Sequence, residues 1–310
     1  TFHSDLLDTS GNGWDALIRS NLTHVLLCTQ RVARAMVAFA GPALCDELLP
    51  GVLSGELRLC LGYTEPDGGS DVATCKTRAV RDGDDWVING EKCFITNAPS
   101  ADLFVTFART RPADADGPGI AVFLVPADTP GVVVGPKDAK MGQEGAWTSD
   151  VNFTDVRVGH DTLIGGSVDI GYRAAMTSLA RGRIHIAALA VGSAQRALDE
   201  SVAYSKTRTA FGKPIGINQG VAFPIADLAV MAETATVLTY KAAWLKDEQE
   251  AGRRSVAEVK KAAAIAKLYT SEAAVTATRI ATQVFGGNGF MEEYPIARFY
   301  RDAKILEIGE

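Results

Sequence analysis

The hydrophobic period of this chain changes twice, and that change constrains the fold more than any single motif does. Residues 13–58 read as helix. Leu17, Ile18, Leu22, Val25 and Leu26 recur at helical spacing, as do Val32, Ala35, Met36 and Phe39, until Gly41-Pro42 interrupts the pattern. From about residue 60 to 162 the period is two. Val72–Val80 alternates polar with small or apolar residues, and further strands are expected at Leu103–Ala108, Ile120–Val125 and Asp150–Val158. Within this stretch Asp85–Ile88, Asn89-Gly90 and Glu91–Ile95 read as a β-hairpin, because Asn-Gly supplies the positive φ that a type I′ turn needs. From residue 169 the helical period returns. Ile170 to about Lys206 forms one candidate helix, and Asn218–Ala251, with Pro224 near its start, forms a second. The capping box Ser255-Val256-Ala257-Glu258 opens a third, which runs to Val284 and stops at Gly286-Gly287. The chain is therefore read as α+β, mainly α, in three parts: a helical domain over 1–58, a small β sandwich or barrel over 59–163, and a helical bundle over 164–310.

Charge and composition narrow the partners. With 31 Lys+Arg against 37 Asp+Glu the formal net charge is −6, and a nucleic-acid partner, which needs a basic stripe, is not expected. No apolar run reaches the ~18 residues of a membrane span, and Gly119–Ala127 is strand-sized. The first residues, Thr1-Phe2-His3-Ser4-Asp5, show neither a basic nor an apolar leader segment, so no secretory signal is expected. The five cysteines form no CxxC pair and are odd in number, which suits reduced, buried thiols in the cytoplasm. The four histidines are dispersed, and no metal site is expected.

Four segments carry chemistry-bearing residues, and each has two readings. Thr64-Glu65-Pro66-Asp67-Gly68-Gly69-Ser70-Asp71 could hold a flat heteroaromatic ring or a phosphate by its hydroxyls and N–H groups, or could be a surface turn. Phe94 and Thr96 are two apart on a strand and share a face, so they could pack on a ring and bond its edge; alternatively they are a core Phe and an edge Thr. Arg208-Thr209-Ala210-Phe211-Gly212-Lys213-Pro214, between two helices, suits a phosphate or a solvated basic loop. Gln283–Phe290, with three glycines, admits close approach of a ligand, or is a helix cap followed by a turn.

In their joint order these segments, together with Asn89-Gly90, Arg301-Asp302-Ala303-Lys304 and Glu310, resemble the acyl-CoA dehydrogenase family of flavoproteins, from about Leu59 to Glu310. The resemblance implies an acyl-CoA dehydrogenase-like fold: an N-terminal helical domain, a central β-barrel or sandwich domain and a C-terminal four-helix bundle. It implies FAD as cofactor. Leu61, Tyr63, Thr64, Gly69 and Ser70 then match the segment that holds the isoalloxazine ring and flanks the thioester. Phe94, where many relatives have Trp, and Thr96 match the residues beside the flavin and near its N5. Arg208 and Phe211, with Gln283, Gly286 and Gly287, match residues that contact the FAD of a neighbouring subunit. A homo-oligomer, by family habit a tetramer, is implied.

The resemblance also implies the reaction. Glu310 matches the glutamate that removes the α-proton of an acyl-CoA, while the β-hydride passes to flavin N5 and the product is a trans-2-enoyl-CoA. Some relatives carry the base before an arginine that matches Arg183; here that position is Gly182, which has no carboxylate. Ser70 and Arg183 are assigned to the substrate, and Ala180 stands where some relatives have an Asp that contacts CoA. An electron-transferring flavoprotein is the implied acceptor, and fatty acid metabolism the implied setting. Two further readings stay open: a non-catalytic partner subunit of a hetero-oligomer, and a flavin oxidase on the same fold. The N-terminal helical region is shorter than the family's, and relatives continue past the glutamate with Gly-Thr and a final helix. The 310 residues are therefore expected to be part of a longer chain.

Overall fold

A computed structural model describes residues 42–114 and 117–309. The helices expected around Leu17 and Val32 lie outside the described residues, as does Glu310. The chain divides into two compact units, Thr1–Ala139 with Glu144–Ser178, and Lys140–Gln143 with Leu179–Glu310.

The first unit holds α1 (Pro42–Ser54) and a curled seven-stranded sheet. Its strands are β1 (Leu59–Gly62), β2 (Arg78–Asp82), β3 (Asp85–Thr96), β4 (Leu103–Arg109), β5 (Ile120–Pro126), β6 (Val132–Val134) and β7 (Thr148–Gly159). The order is β1-β4-β2-β3-β7-β6, with β5 also paired to β4. Only β1 and β2 run parallel to β4; the other pairings are antiparallel.

The sheet is buried on both faces where β4 meets β5, and the two-residue period sorts the side chains. Phe104, Ala108, Ala121, Phe123 and Val125 join one core cluster, and Val105, Phe107, Ile120, Val122 and Leu124 join the other. The first turns of α2 (Ile170–Thr207), through Tyr172, Ala175 and Met176, pack on the second cluster. Strands buried on both sides read as continuous apolar runs rather than as a clean alternation, which is the pattern of Ile120–Val125.

Two expectations in this unit are corrected. Asn89-Gly90 is not a hairpin turn: β3 runs straight through it, and the turn lies earlier, where Asp82 pairs with Asp85. Gly90 is needed for another reason. A Cβ there would sit 2.5 Å from Thr77 Oγ1, at a register shift in the β3–β7 ladder. Asn89 is occupied in sheet pairing as well. Its side-chain amide donates to Asp155 Oδ1 (3.1 Å), and Asp155 N–H donates to Asn89 Oδ1 (2.8 Å). Nor is Val72–Val80 one strand. Val72–Thr74 forms a 3₁₀ turn, and the ladder begins only at Arg78.

The second unit is helical. Along with most of α2 it holds α3 (Gln219–Glu250), α4 (Val256–Phe285), α5 (Pro295–Ala303) and α6 (Ile305–Ile308). The bounds of the three long helices match the sequence pattern closely. The capping box is complete: Ser255 Oγ accepts from Glu258 N–H (3.2 Å), and Glu258 Oε2 accepts from Ser255 N–H (2.9 Å). Alanines make the contacts. Ala194, Ala197, Ala232, Ala277 and Ala281 are almost fully buried with Leu228, Phe285 and Ile296, because small side chains let helix axes approach closely.

By length and composition alone α3 could cross a membrane, which the search for an uninterrupted apolar run did not reveal. One of its stripes, Leu228, Ala232, Ala235, Thr239 and Ala242, is buried within the unit, and Phe223, Val230, Val237, Tyr240 and Trp244 are exposed.

Candidate active site

In the first unit the candidate residues gather at the end of β1 and the second half of β3. Leu61 is exposed at the end of β1, and the Tyr63 ring packs against Phe107, tilted by 35°, with centroids 4.2 Å apart. The chain then enters a tight turn in which Glu65 and Gly68 exchange backbone hydrogen bonds of 3.0 and 3.1 Å. That turn presents Gly69 and Ser70 to the outside.

β3 reaches the same place from another direction. Its ladder with β7 slips between Lys92 and Ile95, and at the slip Phe94 takes φ +58. This left-handed bulge turns an aromatic outward: Phe94 is 71% exposed, Ile95 is buried, and Thr96 is exposed beside it. A non-glycine residue holds such a φ only where its surroundings enforce it. The Cys93 N–H donates to the Thr64 carbonyl (3.0 Å), so turn and bulge are tied together.

Beneath both lies a buried polar cluster. The Lys92 side chain is fully buried, and its Nζ donates to Glu65 Oε1 (2.7 Å). The same carboxylate accepts from Cys75 Sγ (3.0 Å), Lys76 N–H (2.6 Å) and Thr77 N–H (3.0 Å). Burial alone would raise the Glu65 carboxyl; the Lys92 ammonium and the backbone N–H groups outweigh it and hold the group at about 2. Burial pushes the Cys75 thiol up to about 11, so it is a donor and not a nucleophile. Cys60, Cys75 and Cys93 are all free and buried, as the cysteine pattern suggested; Cys28 and the Cys45 side chain lie outside what is described.

In the second unit a cleft of about 280 Å³ is lined by Tyr204, Arg208, Ile215, Val284, Phe285, Gly286, Gly287 and Asn288. It brings together Arg208 and the glycine pair, as expected. Gln283 is exposed at the end of α4, and its carbonyl accepts the capping N–H of Gly286, which has φ +60. Gly287 has neither a positive φ nor any atom within 4 Å of where a Cβ would stand. The chain's own packing therefore does not demand glycine there, whereas a ligand lying close to the backbone would.

Phe211 stands beside the cleft on the hairpin of β8 (Thr209–Ala210) and β9 (Lys213–Pro214). Phe211 and Gly212 have φ +53 and +75, the signs of a type I′ turn, and Phe211 is 99% exposed. Arg183 is half-buried on α2 and does not line the cleft. The short helix α6 that precedes Glu310 is anchored by Leu306 in the core and by buried Lys267, whose Nζ donates to the Glu307 carbonyl (3.1 Å).

The residues present fit a flavin dinucleotide. One surface offers an outward aromatic with an adjacent hydroxyl for a flat ring, and another offers an arginine beside open glycines for a pyrophosphate. Sequence reasoning missed Lys92 and Cys75, which look like ordinary strand positions. It also missed Tyr204 and Asn288: the Asn288 amide donates to the Tyr204 and Tyr294 hydroxyls at 3.0 and 3.2 Å and steadies the glycine turn. Trp147 was missed too. It is 42% exposed next to Thr96, its carbonyl accepts from Asn97 N–H (2.7 Å), and Lys137 Nζ sits 3.0 Å from its ring centre.

Comparison with known proteins agrees with this geometry. Residues 60–156 match the family description "Acyl-CoA dehydrogenase, middle domain" and residues 169–310 match "Acyl-CoA dehydrogenase, C-terminal domain". The chain is 43% identical over 263 residues to the probable acyl-CoA dehydrogenase YngJ of Bacillus subtilis (strain 168), covering 84% of this chain and 67% of that one. It is 43% identical over 257 residues to the mitochondrial short-chain specific acyl-CoA dehydrogenase of Homo sapiens, covering 83% of this chain and 60% of that one. The structure of butyryl-CoA dehydrogenase from Megasphaera elsdenii superposes with a TM-score of 0.83 at 37% identity, covering 93% of this chain and 73% of that one.

Proposed function

This chain belongs to the acyl-CoA dehydrogenase family of FAD-dependent oxidoreductases, and on that footing we propose that it oxidises an acyl-CoA thioester to the trans-2-enoyl-CoA, with a short acyl chain as the substrate class. The observation that carries this reading is the Phe94–Thr96 wall: an exposed aromatic held at positive φ and an exposed hydroxyl, flanking a buried Ile95. The preference for short chains is supported by likeness to proteins named short-chain and butyryl-CoA dehydrogenases.

FAD, when bound, supplies the two-electron acceptor for the β-hydride. The chain's residues do the rest. Phe94 would cover a face of the flavin ring, and Thr96 would offer its hydroxyl to the ring. The Thr64–Ser70 turn would hold the ring as well, with Ser70 serving the thioester, and Arg183 would contribute to substrate binding. Glu310 takes the α-proton onto its carboxylate; a site that excludes water raises its affinity for that proton. A backbone N–H near Glu310 polarises the thioester carbonyl, which makes the α-proton acidic enough to remove. An electron-transferring flavoprotein would be the acceptor that reoxidises the bound cofactor.

Arg208, Phe211, Gln283, Gly286 and Gly287 serve the FAD of a neighbouring subunit, in a homotetramer. Two observations support an oligomer. Phe211 projects almost wholly into solvent, and on α3 Phe223, Val230, Val237 and Trp244, seven residues apart in turn, form an exposed apolar stripe with Tyr240 beside it. We read this stripe as a subunit face and not as a membrane span, because Asp227, Glu233 and Lys241 lie on the same helix. The test is FAD content and enoyl-CoA formation across butyryl-, isobutyryl-, octanoyl- and glutaryl-CoA. The reading expects bound FAD and the highest kcat/KM with butyryl-CoA. Protein that retains no FAD in any preparation contradicts it.

A further inference from the structure

The Glu65–Lys92–Cys75 cluster contributes no group to the reaction, yet it is the most deeply buried charged assembly in the first unit. Glu65 is 6% exposed, Lys92 0% and Cys75 5%. Stability alone does not call for it, since an apolar replacement of a buried ion pair is often as stable. What the cluster supplies is direction. Donors from two separate segments, Cys75, Lys76 and Thr77 before β2 and Lys92 on β3, converge on the carboxylate that Glu65 supplies from the turn. Lys92 Nζ also reaches the Tyr63 carbonyl (3.5 Å) and Cys75 Sγ (3.6 Å). Three of these donors to Glu65 meet Oε1, and the Lys76 N–H meets Oε2. The Lys92 ammonium and the backbone N–H groups hold the Glu65 carboxyl ionised well below its ordinary range.

Its position in the chain gives the clamp a purpose. Glu65 follows Thr64 directly and stands four and five residues before Gly69 and Ser70. Lys92 immediately precedes the slip in register that turns Phe94 outward. The one backbone bond between turn and bulge, Cys93 N–H to Thr64 O, lies beside it. We propose that Glu65 and Lys92, with Cys75 as a further donor, are positioning residues that lock the Thr64–Ser70 turn to the Phe94–Thr96 bulge and so set the spacing of the two walls that hold the flavin ring. The proposal rests on the flavin reading of this site and adds to it residues that touch neither cofactor nor substrate.

The experiment uses FAD-loaded protein in three forms: wild type, the double variant Glu65→Gln/Lys92→Met, and Cys75→Ala. The double variant strands no charge, and the Gln carbonyl keeps one of the two backbone N–H bonds, since Lys76 and Thr77 donate to different carboxylate oxygens. Melting temperature, the visible flavin spectrum, and kcat and KM for butyryl-CoA with a dye acceptor are read for each. The double variant is expected to melt close to wild type, to show displaced flavin absorption bands, and to lose kcat by roughly a hundredfold, the scale of an ångström of misplacement, with KM little changed. Cys75→Ala is expected to move the bands and kcat in the same direction by less. Wild-type bands and wild-type kcat in both variants overturn the proposal. If the double variant does not fold, Cys75→Ala decides by the same criterion. The spectrum is read without turnover, so wild type that binds FAD but reduces it with no acyl-CoA defeats the functional reading while the band positions still judge the clamp.

Discussion

Phe94 and Phe211 are the same device built in two ways. Each is an exposed aromatic at positive φ, +58 and +53. Phe94 is enforced from within: it follows a fully buried lysine, sits at a register slip in a twelve-residue strand, and its neighbour Ile95 is in the core. Phe211 is enforced only by a hairpin of two two-residue strands and is 99% exposed. A conformation costing ~1–3 kcal/mol is thus stabilised by buried charge in one unit and by turn geometry in the other. The first unit fixes its wall from its own core, whereas Phe211 is 99% exposed and covers nothing among the described residues of its own unit.

The contrast can be broken most forcefully at Lys92. Lys92→Met alone leaves Glu65 buried without its counter-charge and is expected to cost about 3–5 kcal/mol, seen as a large fall in the denaturant midpoint. A loss comparable to that of a surface substitution breaks the claim that the first wall is held from within.

Next in size, Phe94→Gly is expected to strip FAD from the protein on dilution or gel filtration, while the free chain, relieved of backbone strain, is stabilised by ~1 kcal/mol. Phe211→Gly is expected to give the same gain in the free chain with a smaller loss of FAD, and its difference from wild type should vanish at concentrations where the oligomer dissociates. Equal FAD loss from both at every concentration erases the distinction.

The smallest effect concerns acid. Glu65 is held at about 2 against an ordinary value of 4.5, so its stabilising share is full above about pH 4.5 and is lost as pH falls toward about 2. Glu65→Gln should therefore show a shallower decline in melting temperature over that window than wild type, and Phe211→Gly should leave the slope unchanged.

Much of this was legible in the sequence where the determining contacts are local. The bounds of α2, α3 and α4, the Ser255–Glu258 capping box and the glycine stop of α4 all follow from spacing within a turn or two. β4, β5 and β7 were legible from their alternation and flanking turns. Gly90 was misread because the contact that requires it comes from Thr77, thirteen residues away, and not from a turn. Lys92 passed unnoticed for a related reason: its partner Glu65 is 27 residues distant, and nothing local marks a lysine as fully buried. The exposed residues of the candidate site, Phe94, Thr96, Phe211 and the glycine pair, were visible in the sequence because they lie in motifs whose joint order carries the family resemblance.

In the proposed reaction Glu310 takes the α-proton as the β-hydride passes to FAD. Anaerobic titration of FAD-loaded protein with butyryl-CoA tests this directly, read as loss of the flavin's visible absorption in wild type and in Glu310→Gln. Prompt bleaching is expected in wild type and none on the same timescale in the variant. A variant that bleaches as fast as wild type, or a wild-type flavin that stays oxidised with every acyl-CoA offered, contradicts it.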